Sequence, residues 1–476
     1  PVPEQVQREW EYDMRISARG VAADRELVDG ALYCGTAIEE AAKQEAIELT
    51  GLENPKSREQ MLTWLQGHGV AIPDLRSATV EDALEHKDEF EPDVARVLEL
   101  RQLLSKASIK KYSTVVTTMC EDGRIRGLLQ FYGANRTGRW AGRLVQVQNL
   151  PRTYLHGAML DTARDLTRRK LPEGLKLLYG SVPGTLSQLV RTALVPRPGC
   201  KFVDADFSAI EARVVAWLAG EEWVLQVFRT HGKIYEATAS QMFGVPLDRI
   251  VKGNPEYALR QKGKVATLAL GYQGGSSALI AMGALKNGLT EEELPDIVSR
   301  WRQANRAIVR CWKAVEQAAI QAVETGRSCA THGLVFAREA DIDSGLDFLT
   351  IRLPSGRKLY YAQPHFGVNQ WGGKQLRYYG MNQMTKKWSV IETYGGHMTE
   401  NIVQAIARDC LAVNIERLEN AGFPIVFHIH DEVVIEVPED RADLDEVTRI
   451  MGQPIEWAPG LPLAADGWVG DYFTKD

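Results

Sequence analysis

The sequence contains no long hydrophobic run and no secretory leader. No window reaches the roughly 18 apolar residues that a membrane-spanning helix needs. Charged side chains are frequent among the first twenty residues, which a signal peptide would not tolerate. The six cysteines lie far apart and form no Cys-x-x-Cys pair, a pattern typical of reduced thiols. These absences predict an intracellular, cytoplasmic protein without a membrane partner.

Familiar nucleotide and metal signatures are also missing. The chain has neither a Gly-x-x-x-x-Gly-Lys-Ser/Thr loop nor a Gly-x-Gly-x-x-Gly fingerprint, so a P-loop or Rossmann nucleotide site is not supported. His428 and His430 lack a third ligand at metal-binding spacing, which argues against zinc.

Charge is unevenly distributed along the chain, although the 476 residues carry a net charge of only −6. Residues 1–100 contain 10 basic and 22 acidic side chains, and residues 431–476 contain 3 basic and 12 acidic ones. Residues 101–152 contain 10 basic and 2 acidic side chains, interleaved with glycines and aromatics. The pattern is compatible with a solvated face, but it favours a surface that nucleic acid approaches.

A carboxylate ends an apolar strand in the middle of the chain. Residues 202–206 read as a strand and residues 208–219 as a helix that Gly220 stops. Asp206 at the strand end is positioned to hold a metal over a rigid sheet, whereas Asp204 reads as structural. Ser208 and Glu211 have the spacing of a capping box, which would give Glu211 a structural role.

A second pair of acids occupies a predicted hairpin tip. Residues 425–429 and 433–437 read as strands that flank His430, Asp431 and Glu432. Neighbouring carboxylates on a buried sheet would repel each other without a cation. Together with Asp206 they would supply carboxylates from two strands, which suits two Mg²⁺ ions completed by phosphate and water.

Cationic and aromatic residues recur every four positions in residues 257–274. Arg260, Lys264, Leu268 and Tyr272 would form one stripe roughly 18 Å long on a helix. Such a stripe suits a triphosphate with its base at the far end, although a charged surface helix is the alternative.

Polar residues within the basic stretch form the fourth motif. Thr137-Gly138-Arg139 and residues 146–152, which include Gln148 and Asn149, can donate to minor-groove acceptors. Such contacts would be independent of base sequence.

Elsewhere, the pattern predicts helices over most of residues 1–112 and 208–322, including one long helix over 297–322. Short strands and turns are predicted for 113–205 and 328–380, and a helix for 398–420.

In their order along the chain, the four motifs resemble those of the family A DNA polymerases, the group of bacterial DNA polymerase I and many phage replicases. Residues 206–213 are similar to motif A, Arg260, Lys264 and Tyr272 to motif B, and residues 430–432 to motif C. Thr137-Gly138-Arg139 with residues 148–151 resembles the template-primer motif, and Gln404 and Asp409 match a further family pattern. The resemblance covers about residues 100–476.

The resemblance implies an α+β right-hand fold with an antiparallel-sheet palm, helical fingers and a helical thumb. The implied domains are a thumb with the N-terminal helical region (1–125), palm (126–220), fingers (221–381) and the second part of the palm (382–476). It implies Mg²⁺, with Mn²⁺ as a substitute, primer-template DNA, dNTPs and a monomer.

The resemblance also implies roles for individual residues of this chain. The resemblance implies catalytic roles for Asp206, Asp431, Glu432 and Lys264, and metal binding by Asp206, Phe207 and Asp431. The implied dNTP-binding residues are Arg260, Lys264, Leu268, Tyr272, Glu211 and Tyr235. The implied DNA-binding residues are Arg139, Gln148, Asn149, Gln404 and His430.

Several positions depart from the family pattern. Leu268 stands where Phe or Tyr is usual, and Gln273 replaces the Gly that usually follows the motif B tyrosine. Tyr235 and residues 394–397 are similar to phage-type members. The departures favour a phage-type branch.

Two alternative functions stay open from the sequence. A single-subunit RNA polymerase shares the palm, but Glu211 and Glu432 favour DNA synthesis. A catalytically inactive nucleic-acid-binding protein would have no reason to keep Asp206 and Asp431. The chain begins with Pro, so it could be a fragment, and we expect no 3′→5′ exonuclease from these residues.

Overall fold

The N-terminal region is helical, as predicted. The computed structural model describes residues 2–105, 108–341, 343, 345–369 and 372–474. Helix α2 is capped by the Asp24 side chain, which accepts a hydrogen bond from Leu27 N, and it ends at Gly51 in the left-handed conformation. The helices of this region are α1 (Glu4–Arg19), α2 (Arg25–Thr50), α3 (Arg58–Gly67), α4 (Ser77–Glu85), α5 (Pro92–Ser105) and α6 (Ser108–Thr118).

The following region contains more helix than the sequence pattern predicts. Its strands are short: β2 (Arg124–Ile125), β3 (Leu129–Ala134), β4 (Arg139–Gly142) and β5 (Leu194–Val195). Strand β1 (Val21–Ala23) lies in the N-terminal region, between α1 and α2. Strands β2, β1 and β5 form one small sheet, and β3 and β4 form a hairpin. The prediction of strands and turns is wrong for α7 (Gly157–Arg168), α8 (Pro172–Tyr179) and α9 (Val182–Leu189).

Strand β6 (Cys200–Phe207) leads into a helical region. Its helices are α10 (Ile210–Ala219), α11 (Glu222–Thr230), α12 (Ile234–Phe243), α13 (Leu259–Leu270), α14 (Ser276–Ala281), α15 (Leu294–Ala304) and α16 (Arg306–Thr325). The single helix predicted over 297–322 is therefore two helices. The break lies at Asn305, whose ψ of 53° interrupts the helical path.

A six-stranded antiparallel sheet occupies the segment predicted as short strands. Its strands follow one another in space as they do in the chain. They are β7 (Cys329–Thr331), β8 (Leu334–Ala340), β9 (Asp347–Arg352), β10 (Lys358–Val368), β11 (Lys374–Met381) and β12 (Trp388–Thr393). One face packs on α16, where Phe336 and Ile351 are fully buried.

The C-terminal part completes a central sheet around β6. Its elements are α17 (Gly395–Asn420), β13 (Ile425–Ile429), β14 (Glu432–Pro438), α18 (Leu444–Met451) and β15 (Ala465–Gly470). The sheet order is β13-β14-β6-β15, and each neighbouring pair is antiparallel. The predicted hairpin and the helix before it are confirmed.

Both faces of this central sheet are covered. Val203 and Val433 belong to one hydrophobic core, which includes buried residues of α10 and α17. Phe202 and Val434 belong to another, which includes buried residues of α9. Burial on both faces holds the strand ends rigidly. No helix within the described residues is long and apolar enough to cross a membrane.

A buried ionic cluster joins α17 to the β3–β4 hairpin. The Asp409 carboxylate accepts hydrogen bonds from Arg357 Nε at 2.7 Å and from Ser355 Oγ at 2.5 Å. The neighbouring Arg408 donates to the Gly138 carbonyl at 3.0 Å and lies over the Trp140 ring. These side chains fix the hairpin relative to α17.

Asp409→Ala should lower the free energy of unfolding by about 3–5 kcal/mol, because it leaves the Arg357 charge buried and uncompensated. Urea denaturation of the variant and the wild type measures the difference. Asp165→Ala is the matched control, because its pair with Arg169 is exposed and should contribute less than about 1 kcal/mol. Equal denaturation midpoints for Asp409→Ala and the wild type would contradict the role of the cluster.

Candidate active site

The predicted carboxylates meet at one end of the central sheet. Asp206 lies near the end of β6, and Asp431 lies in the turn between β13 and β14. The backbone N–H of Phe207 donates to the Asp431 carbonyl at 3.1 Å, and Glu432 is the cross-strand partner of Asp206. The strand pairing therefore brings residues from two distant parts of the chain side by side.

The carboxylates differ in their exposure. Asp206 and Asp431 are partly exposed, whereas Glu432 is 1% exposed. Burial lowers the pKa of the Arg191 guanidinium, while the nearby Glu432 and Asp204 carboxylates act in the opposite direction. Arg191 is buried behind the site, where its guanidinium donates hydrogen bonds to the Pro151 and Leu150 carbonyls.

A further acid lies on the other side of Asp206. Asp466 of β15 is the second cross-strand partner of Asp206, and it is exposed. No motif spacing marked Asp466, because β15 joins the sheet through a long connection after α18.

The donor set fits Mg²⁺ better than zinc. The described residues contain no group of three or more His, Cys, Asp or Glu side chains arranged around a metal position. Mg²⁺ uses one or two carboxylates and completes its shell with water and phosphates, which two partly exposed aspartates allow. His428 is fully buried against Trp140, and burial lowers its pKa to about 3.

Glu211 is not the partner of a capping box. Helix α10 begins at Ile210, and its N-cap is Ala209 with a φ of 52° and no side-chain cap. The Glu211 carboxylate instead accepts hydrogen bonds from Arg139 at 2.7 Å and from the Tyr272 hydroxyl at 2.8 Å. Burial raises the pKa of Tyr272 well above its ordinary value, and the neighbouring Glu211 carboxylate raises this pKa further.

The two cations predicted for the triphosphate lie on α13. Arg260 donates to Glu236 at 2.8 Å, and its guanidinium lies 5.3 Å from the centre of the Tyr235 ring. Lys264 Nζ lies 5.9 Å from the same ring. The Tyr235 ring of α12 therefore lies near both cations.

Close packing of α12 on α13 depends on a glycine. A Cβ at Gly263 would lie 2.1 Å from the Tyr235 carbonyl oxygen, far inside van der Waals contact. No side chain fits between the helices at this point, so Gly263 sets the distance between Tyr235 and the α13 cations.

The end of the predicted stripe differs from a regular helix. Helix α13 ends at Leu270, so Tyr272 lies just beyond it. Gln273 follows with a φ of 65°, and its side-chain oxygen accepts a hydrogen bond from Gly396 N at 2.9 Å. Gln273, which departs from the family pattern, therefore ties this turn to the start of α17.

A cavity of about 690 Å³ opens between α10, α12, α13 and α17. Within the described part of the chain, Arg260, Lys264 and Asp206 lie outside its wall. The predicted residues in its wall are Tyr235, Glu211, Leu268, Tyr272, Gln404 and Asp431. Leu268 is 47% exposed, as a residue facing a ligand would be.

Two further residues of the cavity wall carry no earlier assignment. Glu400 of α17 accepts a hydrogen bond from Gln404 at 3.2 Å, and Tyr394 directly precedes the helix. Burial raises the pKa of Glu400, and the negative charge of Glu211 raises this pKa further. In the sequence, Glu400 was marked only by its spacing of four residues from Gln404, since residues four apart share one face of a helix.

Part of the predicted DNA-contacting set lies together. Arg139, Gln148 and His430 line one small cleft beside the hairpin tip, and His430 is exposed with a φ of 53°. A Cβ at Gly142 would lie 1.9 Å from the Gln148 amide, so the glycine makes room for that side chain. Asn149 is exposed and bonded to Gln146, outside the wall of this cleft.

Two aspartates at one end of an antiparallel sheet, a cationic helix beside a large cavity and a small cleft at the hairpin tip are the arrangement of a nucleic-acid polymerase of the right-hand class. A family model described as DNA polymerase family A matches residues 34–334. The chain belongs to this family, and its enzyme class is DNA-directed DNA polymerase.

Individual relatives agree with this assignment. The chain is 53% identical over 468 residues to the DNA polymerase of Bacillus phage SP02, covering 98% of this chain and 70% of that protein. It is 26% identical over 293 residues to the thermostable DNA polymerase I of Thermus aquaticus, covering 60% and 28% of the two chains. The phage relative agrees with the predicted branch.

A solved structure shares the fold. The polymerase domain of Pol1 from M. smegmatis, in complex with DNA primer-template and dNTP, aligns with a TM-score of 0.62 at 18% identity. The alignment covers 98% of this chain and 69% of that one. The right-hand fold predicted from the motifs is confirmed, whereas the predicted domain boundaries stay predictions. Residues 430–432 lie beyond the family-model match, so their position in this chain follows from the sheet pairing.

Gly263→Ala should lower the free energy of unfolding by about 1–3 kcal/mol, because α12 and α13 must separate to admit the methyl group. Urea denaturation of purified protein measures this loss. Gly271→Ala is the matched control at the other end of α13, since its added Cβ would lie in ordinary contact, 3.6 Å from the Thr267 carbonyl oxygen. Equal stability of the two variants would show that the helices tolerate a wider spacing.

Proposed function

We propose that this polymerase adds dNTPs to the 3′ end of a DNA primer on a template by two-metal-ion phosphoryl transfer. The observation that carries the proposal is the contact of the β6 end with the hairpin tip, where Phe207 N bonds to the Asp431 carbonyl. This contact brings the partly exposed carboxylates of Asp206 and Asp431 beside a cavity large enough for a nucleotide.

Asp206, Asp431 and the Phe207 carbonyl would hold two Mg²⁺ ions, for which Mn²⁺ is a substitute. When bound, such ions activate the primer hydroxyl and neutralise charge on the departing pyrophosphate. Glu432 supports the pair from behind, because it is buried and faces Arg191 rather than the cavity.

Arg260 and Lys264 bind the triphosphate, and Lys264 also donates a proton to the leaving group. Both cations lie near the Tyr235 ring, and Arg260 is also paired with the Glu236 carboxylate, which would share it with the triphosphate. Leu268 and Tyr272 contact the base and sugar from the cavity wall.

Glu211 and Tyr272 exclude a ribose 2′-hydroxyl. The hydrogen bond between them, together with the one from Arg139, fixes the carboxylate in the wall of the cavity. A sugar with an extra hydroxyl would have to displace this bonded pair.

Arg139, Gln148, Asn149, Gln404 and His430 contact the primer-template minor groove and position the primer end. We further propose that the protein acts as a monomer, in the cytoplasm of the cell that contains its template. The absence of 3′→5′ exonuclease activity in this chain stays a prediction.

An RNA polymerase of the same fold and an inactive DNA-binding protein are the alternatives. The bonded pair of Glu211 and Tyr272 favours DNA synthesis over RNA synthesis. Primer extension by the wild-type protein with dNTPs or rNTPs decides between these functions. A preference for rNTPs would identify the first alternative, and no extension with either set would identify the second.

Asp206→Asn and Asp431→Asn should each reduce primer extension with Mg²⁺ by about 10³-fold, since each removes several kcal/mol of transition-state stabilisation. Single-nucleotide incorporation on a primed template measures the loss. Asp296→Asn removes an aspartate from an exposed pair with Arg300 and is the control. Undiminished incorporation by Asp206→Asn would disprove the catalytic assignment.

Glu211→Ala should raise the efficiency of ribonucleotide incorporation, relative to deoxynucleotide incorporation, by about 10- to 100-fold. Paired measurements of kcat/KM for a dNTP and the matching rNTP test this expectation. Tyr272→Phe keeps the ring and loses only the bond to Glu211, so it should show a smaller change. Unaltered discrimination in Glu211→Ala would assign Glu211 a purely structural role.

A further inference from the structure

The outward face of the six-stranded sheet exposes large side chains in a row. Tyr360 of β10, Met381 of β11 and Trp388 of β12 are 58%, 44% and 61% exposed. Met381 pairs directly with Trp388. Ala362 of β10 pairs with Tyr379 of β11. Tyr360 lies two residues before Ala362, and Met381 lies two residues after Tyr379. Because side chains two residues apart share a face of a sheet, Tyr360, Met381 and Trp388 lie on the same face.

More rings extend this face. Phe348 of β9 lies edge-on to Tyr360, with ring centres 5.9 Å apart. His365 and Tyr379 lie 5.6 Å apart. The opposite face carries the buried residues Leu359 and Tyr361, which pack on the core. Exposure of the rings is therefore a property of one face of the sheet, which the hydrophobic core does not use.

Positive charge surrounds these rings. Residues 329–393, which form the sheet, contain 8 basic and 5 acidic side chains, a net charge of +3 in a chain whose total is −6. Lys386 and Lys387 are exposed on the turn that precedes Trp388, and Arg352 is exposed on β9. Two other cations of this face have acidic partners, since Lys358 pairs with Glu339 and Arg377 with Glu392.

The sheet leads directly to the candidate active site. Strand β12 ends at Thr393, and the next residue, Tyr394, is 44% exposed and lines the cavity. Helix α17 then begins and carries Gln404 into the same cavity wall. Trp388 lies six residues before Tyr394, roughly 20 Å along β12. A strand of nucleic acid leaving the cavity past Tyr394 would therefore pass the Arg377–Glu392 pair and then reach the exposed rings.

We propose that this face binds the unpaired template strand ahead of the primer end. The inference rests on the proposed function, because a template strand is present only in a template-directed polymerase. Exposed rings stack on unpaired bases, whose faces are covered within a duplex, and the surrounding cations attract the phosphates. Single-stranded DNA is therefore the occupant that matches both the rings and the charge.

Binding of two labelled primer-templates tests the proposal. One has a single unpaired template nucleotide, and the other has an overhang of about 12 nucleotides, within the range one such surface covers. Fluorescence anisotropy should show tighter binding of the long overhang by the wild type. Trp388→Ala and Tyr360→Ala should each weaken binding of the long overhang by about tenfold. Neither should alter binding of the single-nucleotide overhang or incorporation on it.

Conservative and matched variants control for structure. Trp388→Phe retains a ring and should restore most of the affinity, and Val368→Ala, exposed on the other side of β10, should behave like the wild type. Equal binding of the two DNAs by the wild type would overturn the proposal and leave the face to a protein partner. Failure to extend either DNA would instead refute the proposed function, so the two outcomes are distinguishable.

Discussion

The antiparallel pairing of β6 with β14 is the constraint on which the site depends. Its last contact, from Phe207 N to the Asp431 carbonyl, joins residues more than two hundred positions apart. Both faces of the sheet are buried, so neither strand can shift without exposing apolar side chains. The carboxylates consequently stand at a fixed separation on a rigid base.

Glu211 connects two elements that lie outside the central sheet. Its carboxylate bonds to Arg139 of the hairpin and to Tyr272 beyond α13. The hairpin is held in turn by Arg408, and the turn after α13 by the contact of Gln273 with Gly396. The cavity therefore lies between elements that share polar contacts with one another.

Much of the fold and the site could be predicted from local patterns. The hairpin at residues 425–437 and the strand ending near Asp206 were recognisable because apolar residues flank isolated acids. The alternative interpretation of Glu211 as the partner of a capping box was wrong, because Ala209 adopts a positive φ and the helix begins at Ile210. The break at Asn305 was not visible, since it depends on contacts such as that of Ala307 N with the distant Glu221 carboxylate. Glu400 was marked only by its spacing of four residues from Gln404.

By itself, the sequence determined the residue types of the site and their order: two separated acidic motifs, a cationic stripe and a basic stretch. These local features reflect strand and helix periodicity, which short-range sterics set. Only the tertiary structure decided that Asp466 also borders Asp206, what Glu211 bonds to and which face of the six-stranded sheet stays open. Those outcomes follow from strand register and the packing of distant elements, and no local pattern encodes either one.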